Sequence, residues 1–188
     1  ATGLPAGPWG RIEVVHAPSQ PNRVYAVIEN VNTALYVSDD GGRTWEARDR
    51  SRNMVWRPFY FQKLVVDPTN ADRLFKMNLR VIVSEDGGKS FSDTAGGSHA
   101  DWHDVWVNPK NPKQVVGADD GGLWLSHDGG NKWWHARNLP ISQFYHVAID
   151  DRDPYQVYGG LQDNSSWVGD SEYPGGITNN RWDCLLYT

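Results

Sequence analysis

Short apolar runs, each closed by a polar turn and answered by a second apolar run, recur along the whole chain. Val14-Val15-His16-Ala17-Pro18, Leu64-Val65-Val66-Asp67-Pro68, Val105-Trp106-Val107-Asn108-Pro109 and Val147-Ala148-Ile149-Asp150 open the rounds. Val24-Tyr25, Leu74-Phe75, Val115-Val116 and Val157-Tyr158 answer them. Runs this short, bounded by Pro, Asn and Asp, predict strands joined by hairpins. Nowhere does the apolar spacing keep a helical rhythm over the ten or so residues that a helix needs. The pattern predicts an all-β chain.

A second repeat runs out of phase with the first. Ser38-Asp39-Asp40-Gly41-Gly42-Arg43-Thr44-Trp45, Ser84-Glu85-Asp86-Gly87-Gly88-Lys89-Ser90-Phe91 and Ser126-His127-Asp128-Gly129-Gly130-Asn131-Lys132-Trp133 begin 46 and 42 residues apart. A spacing of roughly 40–50 residues is the length of one four-stranded propeller blade. Paired glycines supply the positive φ of a tight turn, and the Ser and Asp side chains can bond backbone N–H groups within it. The pattern matches the Asp-box, or BNR, repeat. Asp40, Asp86 and Asp128 are therefore expected to be structural, and Trp45, Phe91 and Trp133 to pack largely buried beneath the turns. The predicted architecture is a partial β-propeller of about three to four blades, over residues 11–50, 60–95, 102–138 and an incomplete 144–188. Propellers typically close with four to eight blades, and open sheet edges are normally paired or covered. The expected partners are accordingly the remaining blades of a longer chain, or a second copy.

Ten Trp and eight Tyr fit the packing between blades. A net charge of −5 and the lack of a Lys/Arg stripe argue against nucleic acid as a ligand. No apolar run is long enough to insert in a membrane. Cys184 is the single cysteine, which excludes an internal disulfide and a multi-cysteine metal site.

Three polar clusters are candidates for chemistry. His99, Asp101 and His103 alternate, so on an extended strand they would share one side. That grouping suits a divalent cation, an acid/base pair or ligand contacts, and equally a hydrogen-bonded blade junction. Asp119-Asp120-Gly121-Gly122-Leu123-Trp124 lies between two strands, and Gln162-Asp163-Asn164 occupies nearly the same place one blade later. Equivalent positions of neighbouring blades share one face, so the two can line one cleft, with Trp124, Trp167 or Tyr145 as platforms for sugar rings. Both can also be simple capped turns. No nucleophile elbow and no phosphate-cradling loop occurs.

Further motifs extend this reading to a family. Gly7-Pro8-Trp9-Gly10-Arg11-Ile12, Ser98-His99-Ala100-Asp101-Trp102-His103-Asp104-Val105-Trp106, Gln143-Phe144-Tyr145-His146-Val147 and Pro154-Tyr155-Gln156-Val157-Tyr158-Gly159-Gly160-Leu161-Gln162-Asp163-Asn164 carry the likeness. The chain resembles bacterial Asp-box propeller proteins of the sortilin-like and glycoside-hydrolase-like group, up to about Thr178. The ending from Trp182 departs from that group. The resemblance implies an exported protein, extracellular or periplasmic, and a slice of a longer one. Its implied role is a propeller module that binds a protein, peptide or glycan on its loop face. An alternative is a xyloglucanase-type glycoside hydrolase. There the Asp-x-Gly-Gly stretch makes Asp119 the candidate catalytic carboxylate, with Asp163, Asp101 or a residue in the missing half as partner, since glycosidases need two carboxyl groups. A second alternative is a structural module of a cell-surface assembly. His99, Asp101, His103, Asp120, Trp124, Tyr145, Gln162 and Asn164 are the candidate ligand contacts. No cofactor is expected beyond a possible cation at His99, Asp101 and His103.

Overall fold

The computed structural model describes residues 1–60, 62–137, 139, 142–176 and 181–186. Its strands form four sheets, each of four strands in sequence order. The first sheet holds β1 (Ile12–Ala17), β2 (Gln20–Ile28), β3 (Ala34–Ser38) and β4 (Glu46–Ala47). The second holds β5 (Leu64–Asp67), β6 (Asn70–Lys76), β7 (Ile82–Ser84) and β8 (Ser92–Asp93). The third holds β9 (Trp102–Val107), β10 (Val115–Asp119), β11 (Gly122–Ser126) and β12 (Trp134–His135). The fourth holds β13 (Phe144–Ile149), β14 (Gln156–Leu161), β15 (Ser166–Asp170) and β16 (Trp182–Leu186). A 3₁₀ turn, Arg52–Met54, interrupts the strands between the first and second sheets. These sheets are the blades. The fourth, expected to be incomplete, has four strands because β16 pairs antiparallel with β15. It lacks the repeated turn octet, so periodicity gave no sign of its last strand.

Each octet joins the third and fourth strands of its blade, and hydrogen bonds explain why the residue types repeat. Ser84 Oγ donates to Asp86 Oδ1 at 2.8 Å and accepts from Gly88 N at 2.9 Å. Asp86 also accepts from Lys89 N at 2.9 Å and from Ser90 Oγ at 2.7 Å. Ser38–Asp40 and Ser126–Asp128 repeat the pattern. Donors led by the Ser90 hydroxyl hold the Asp86 carboxyl down at about 2. Trp45, Phe91 and Trp133 are half-buried rather than sealed. Each packs against a different core cluster.

The blades pack face to face. Tyr25, Val27, Leu35 and Val37 of the first meet Leu64, Val66, Leu74 and Ile82 of the second. Phe75, Met77 and Val83 of the second meet Trp102, Val105, Val107, Val115 and Trp124 of the third. Arginine clamps reinforce both seams. Arg23 reaches Asp72 of the next blade at 2.5 Å, and the equivalent Arg73 reaches the Gly129 carbonyl.

Within this core sits a lysine that pattern reasoning did not single out. Lys76 is fully buried, and its amine donates to the Met77 carbonyl at 2.8 Å. Burial pushes its pKa down to about 8, against an opposing pull from Glu13. A base depressed in the folded state binds fewer protons than the unfolded chain between about 8 and 10.4. Stability is therefore expected to rise with pH across that window. Lys76→Met should raise the melting temperature at pH 7 and flatten that rise, which thermal denaturation at pH 7, 8.5 and 10 checks.

Candidate functional site

The polar clusters meet where the third and fourth blades approach. Asp119 closes β10 opposite Gly122, and Gly122, at φ +133°, makes the tight return that a side chain would resist. The hairpin so formed points Asp120 at the start of β9. Only His103 of the alternating trio lies on a strand. β9 begins at Trp102, and Asp101 sits in the left-handed region at φ 66°, which breaks the extended run before it. His99 therefore stays on the preceding loop, against Gly121. From the fourth blade, the turn between β14 and β15 brings Gln162, Asp163, Asn164 and Ser165. The non-glycine residues described with clearly positive φ are Asp101, Asp163 and Ser165, and all belong to these loops. Strained backbone of this kind collects at functional sites.

His103 Nε2 lies 2.6 Å from Asp120 Oδ1. Carboxylate oxygens of Asp101, Asp120 and Asp163 all fall within 4.8 Å of one another. Arg57 Nη1 pairs with Asp101 at 3.3 Å and partly offsets this negative charge. Asn164 Nδ2 donates to the Asp120 carbonyl at 2.7 Å and to the Gln162 carbonyl at 2.8 Å, tying the fourth blade's turn to the third blade's hairpin. Burial, then the Asp163 carboxyl beside it, raise Asp120 above the usual carboxylate range, while His103 pulls it back. Asp120 Oδ2 is buried without a donor, so the neutral form of Asp120 is favoured beside the Asp163 carboxyl. Asp119 is raised by burial, against the Trp124 indole and the Gly121 N–H that donates to its Oδ1 at 2.9 Å. Its Oδ2 is shut from solvent without a full hydrogen bond.

These loops rim a cleft of about 1110 Å³, with Phe144, Trp167 and Trp182 along its fourth-blade wall. His99, His103, Asp119, Asp120, Gln162, Asp163 and Asn164 line it as well. Two expected platforms are elsewhere. Trp124 is buried between the second and third blades, stacked on His135 at 4.6 Å. Tyr145 is 63% exposed on β13 and stands outside the cleft. Trp182 takes part instead. It lay in the divergent tail, where no repeat signalled its strand. Among the described residues, the oxygens able to hold a cation together belong to Asp101, Asp120 and Asp163, and neither histidine joins them. Three hard oxygen donors suit a calcium- or magnesium-like ion.

No family model matches the chain. No curated protein matches it either. Solved structures do. A GH74 enzyme from Niastella koreensis superposes with a TM-score of 0.54 at 16% identity, covering 84% of this chain and 28% of that one. The GH74 xyloglucanase from Xanthomonas campestris gives 0.52 at 15%, covering 92% and 30%. YCF48 from Cyanidioschyzon merolae gives 0.50 at 16%, covering 93% and 55%. The fold is a β-propeller. At these identities the likeness concerns the fold alone, and the chain spans less than a third of the GH74 structures. Among the described residues, no helix is long and apolar enough to cross a membrane.

Proposed function

We propose that this propeller segment is a glycan-binding module whose ligand lies in the cleft between the third and fourth blades. The observation that carries this reading is the cleft's make-up: a carboxylate- and amide-rich rim facing an indole wall of Trp167 and Trp182. Sugar hydroxyls donate to carboxylates and amide oxygens, and the apolar faces of sugar rings stack on indoles. A convergent set of polar groups in a partly apolar cleft is the usual form of a small-ligand site. A peptide or protein ligand shares the loop face but makes less use of this wall. The sortilin-like, Asp-box parentage and the extracellular or periplasmic setting belong to the same proposal, and rest on the sequence motifs. So do further blades, or a second copy, as partners. A cation, where one takes part, would sit on Asp101, Asp120 and Asp163.

The raised Asp119 and Asp120 favour one alternative, a xyloglucanase-type glycoside hydrolase, because a general acid must keep its proton near neutral pH. The spacing argues against Asp120 and Asp163 as that pair. The Asp120 and Asp163 oxygens lie within 4.8 Å, whereas retaining and inverting pairs hold their carboxyl groups about 5–5.5 and 6.5–9.5 Å apart. Titration calorimetry with xyloglucan and mixed-linkage β-glucan oligosaccharides, run beside a reducing-sugar assay, separates the readings. Binding without new reducing ends is expected. Hydrolysis lost in Asp119→Asn would favour the enzyme, and failure of every glycan to bind would sink the proposal.

A further inference from the structure

The third and fourth blades present matching apolar faces that the structure leaves apart. In the third blade, Val105, Gly117 and Trp124 lie side by side across β9, β10 and β11. In the fourth, Val147, Gly159 and Trp167 lie side by side across β13, β14 and β15. The two rows are the same three residue types at the same blade positions. The next positions also correspond, Val107–Val115 to Ile149–Val157. Yet their environments are opposite. Val105 and Val107 are 4% exposed, sealed against the second blade, whereas Val147 and Ile149 are 59% and 64% exposed.

What should face the fourth blade's row is open too. The second blade receives the third on Val65, Phe75 and Val83, in register across three strands. The third blade carries the equivalent row, Trp106–Val116–Leu125–Trp134. Trp106 and Trp134 there are 55% and 50% exposed. Aligned apolar faces of this size are seldom left to water. The clamp is missing at this seam as well. Gln114 stands at the position of Arg23 and Arg73, and accepts from Asn108 of its own turn. Tethers between the two blades lie at the rim of the cleft, where Asn164 meets Asp120.

We infer that the fourth blade is hinged at the cleft rim and docks its Val147–Trp167 face onto the Trp106–Val116–Leu125–Trp134 face of the third blade. Docking buries Trp167 as Trp124 is buried now, so the docked state removes the cleft's stacking wall. The seam is thus a switch between an open, ligand-competent cleft and a closed one. This last step rests on the glycan reading above, while the docking itself does not. A ligand that binds only the open state shifts the balance towards it by its differential affinity.

Proximity crosslinking tests the docking without any ligand. In a Cys184→Ser background, Trp106→Cys with Val147→Cys should form an intramolecular disulfide under mild oxidation, seen by mass spectrometry of the monomer. Adding Ile149→Asp, at a position already exposed in the open form, should slow that crosslink by about tenfold or more, because docking would bury an unpaired charge. Absence of the crosslink in a folded monomer overturns the inference. A crosslink only between chains overturns it too, because a second copy would then cover the face. So does a rate unaffected by Ile149→Asp. A xyloglucan oligosaccharide should suppress the crosslink. If the crosslink forms and the oligosaccharide leaves it untouched, the docking stands and the ligand coupling falls.

Discussion

Trp102→Ala is expected to cost about 3–5 kcal/mol of stability, the usual loss when a large buried aromatic is emptied. No surface of Trp102 is exposed, and its ring lies 4.9 Å from Trp133 and 6.3 Å from Trp124. A side chain on Gly117 would run into it, so the indole fills space that the opposite strand has left free. Its Nε1 also donates to Ser98 Oγ at 3.0 Å, which fixes the loop carrying His99. The loss should therefore reach the cleft as well as the core. At about 2–4 °C per kcal/mol for a chain of this size, the melting temperature should fall by roughly 10 °C. Trp102→Phe should recover part of the stability but not the loop's hydrogen bond. Thermal and urea denaturation measure both, and a Trp102→Ala cost below about 1 kcal/mol would contradict this account of the second seam.

The other large effect concerns the carboxylates. Asp120→Ala is expected to weaken glycan binding by about 10–100-fold, since hydrogen bonds to charged groups contribute roughly 1.5–3 kcal/mol. Affinity should rise with pH, because the raised Asp120 must ionise before both it and Asp163 can accept sugar hydroxyls. The effect on folding has the opposite sign. An acid raised in the folded state binds its proton more tightly there than in the unfolded chain, where Asp titrates near 3.9. Stability therefore falls as pH rises from about 4 through the raised value. Asp120→Asn should raise the melting temperature at pH 7, and that gain should shrink towards pH 4. Calorimetric titration and thermal scans across pH 4–7 would show both trends. Affinity independent of pH would remove the carboxylates from the binding proposal.

The raised acids also show how far a site can be read from composition. Asp40, Asp86 and Asp128 resemble catalytic acids in sequence, yet each spends its oxygens on the donors of its own turn. Asp119 and Asp120 are neighbours with different surroundings. One is buried at the end of a strand, and the other faces His103 and Asp163.

Local chemistry determined the strands, their grouping in blades and the form of the turns. Alternating apolar pairs and a Ser-x-Asp-x-Gly turn satisfy their backbone within a few residues, so a short stretch of sequence specifies them wherever it occurs. The meeting of the loops near the third and fourth blades was also legible, because equal positions in successive repeats come to lie around one face. Three things waited for the tertiary structure. Trp124 went into the core and Trp167 to the cleft, although they hold the same blade position, because burial depends on whether a neighbouring blade covers the face. Asp120 rather than Asp119 came to face Asp163, because the left-handed turns at Asp101 and Asp163 set the directions of those side chains. Lys76 became a buried amine because the strand alternation that seals Leu74 also turns its companion two residues on into the same interior. Each was decided by contacts between residues far apart in the chain, which no local pattern encodes.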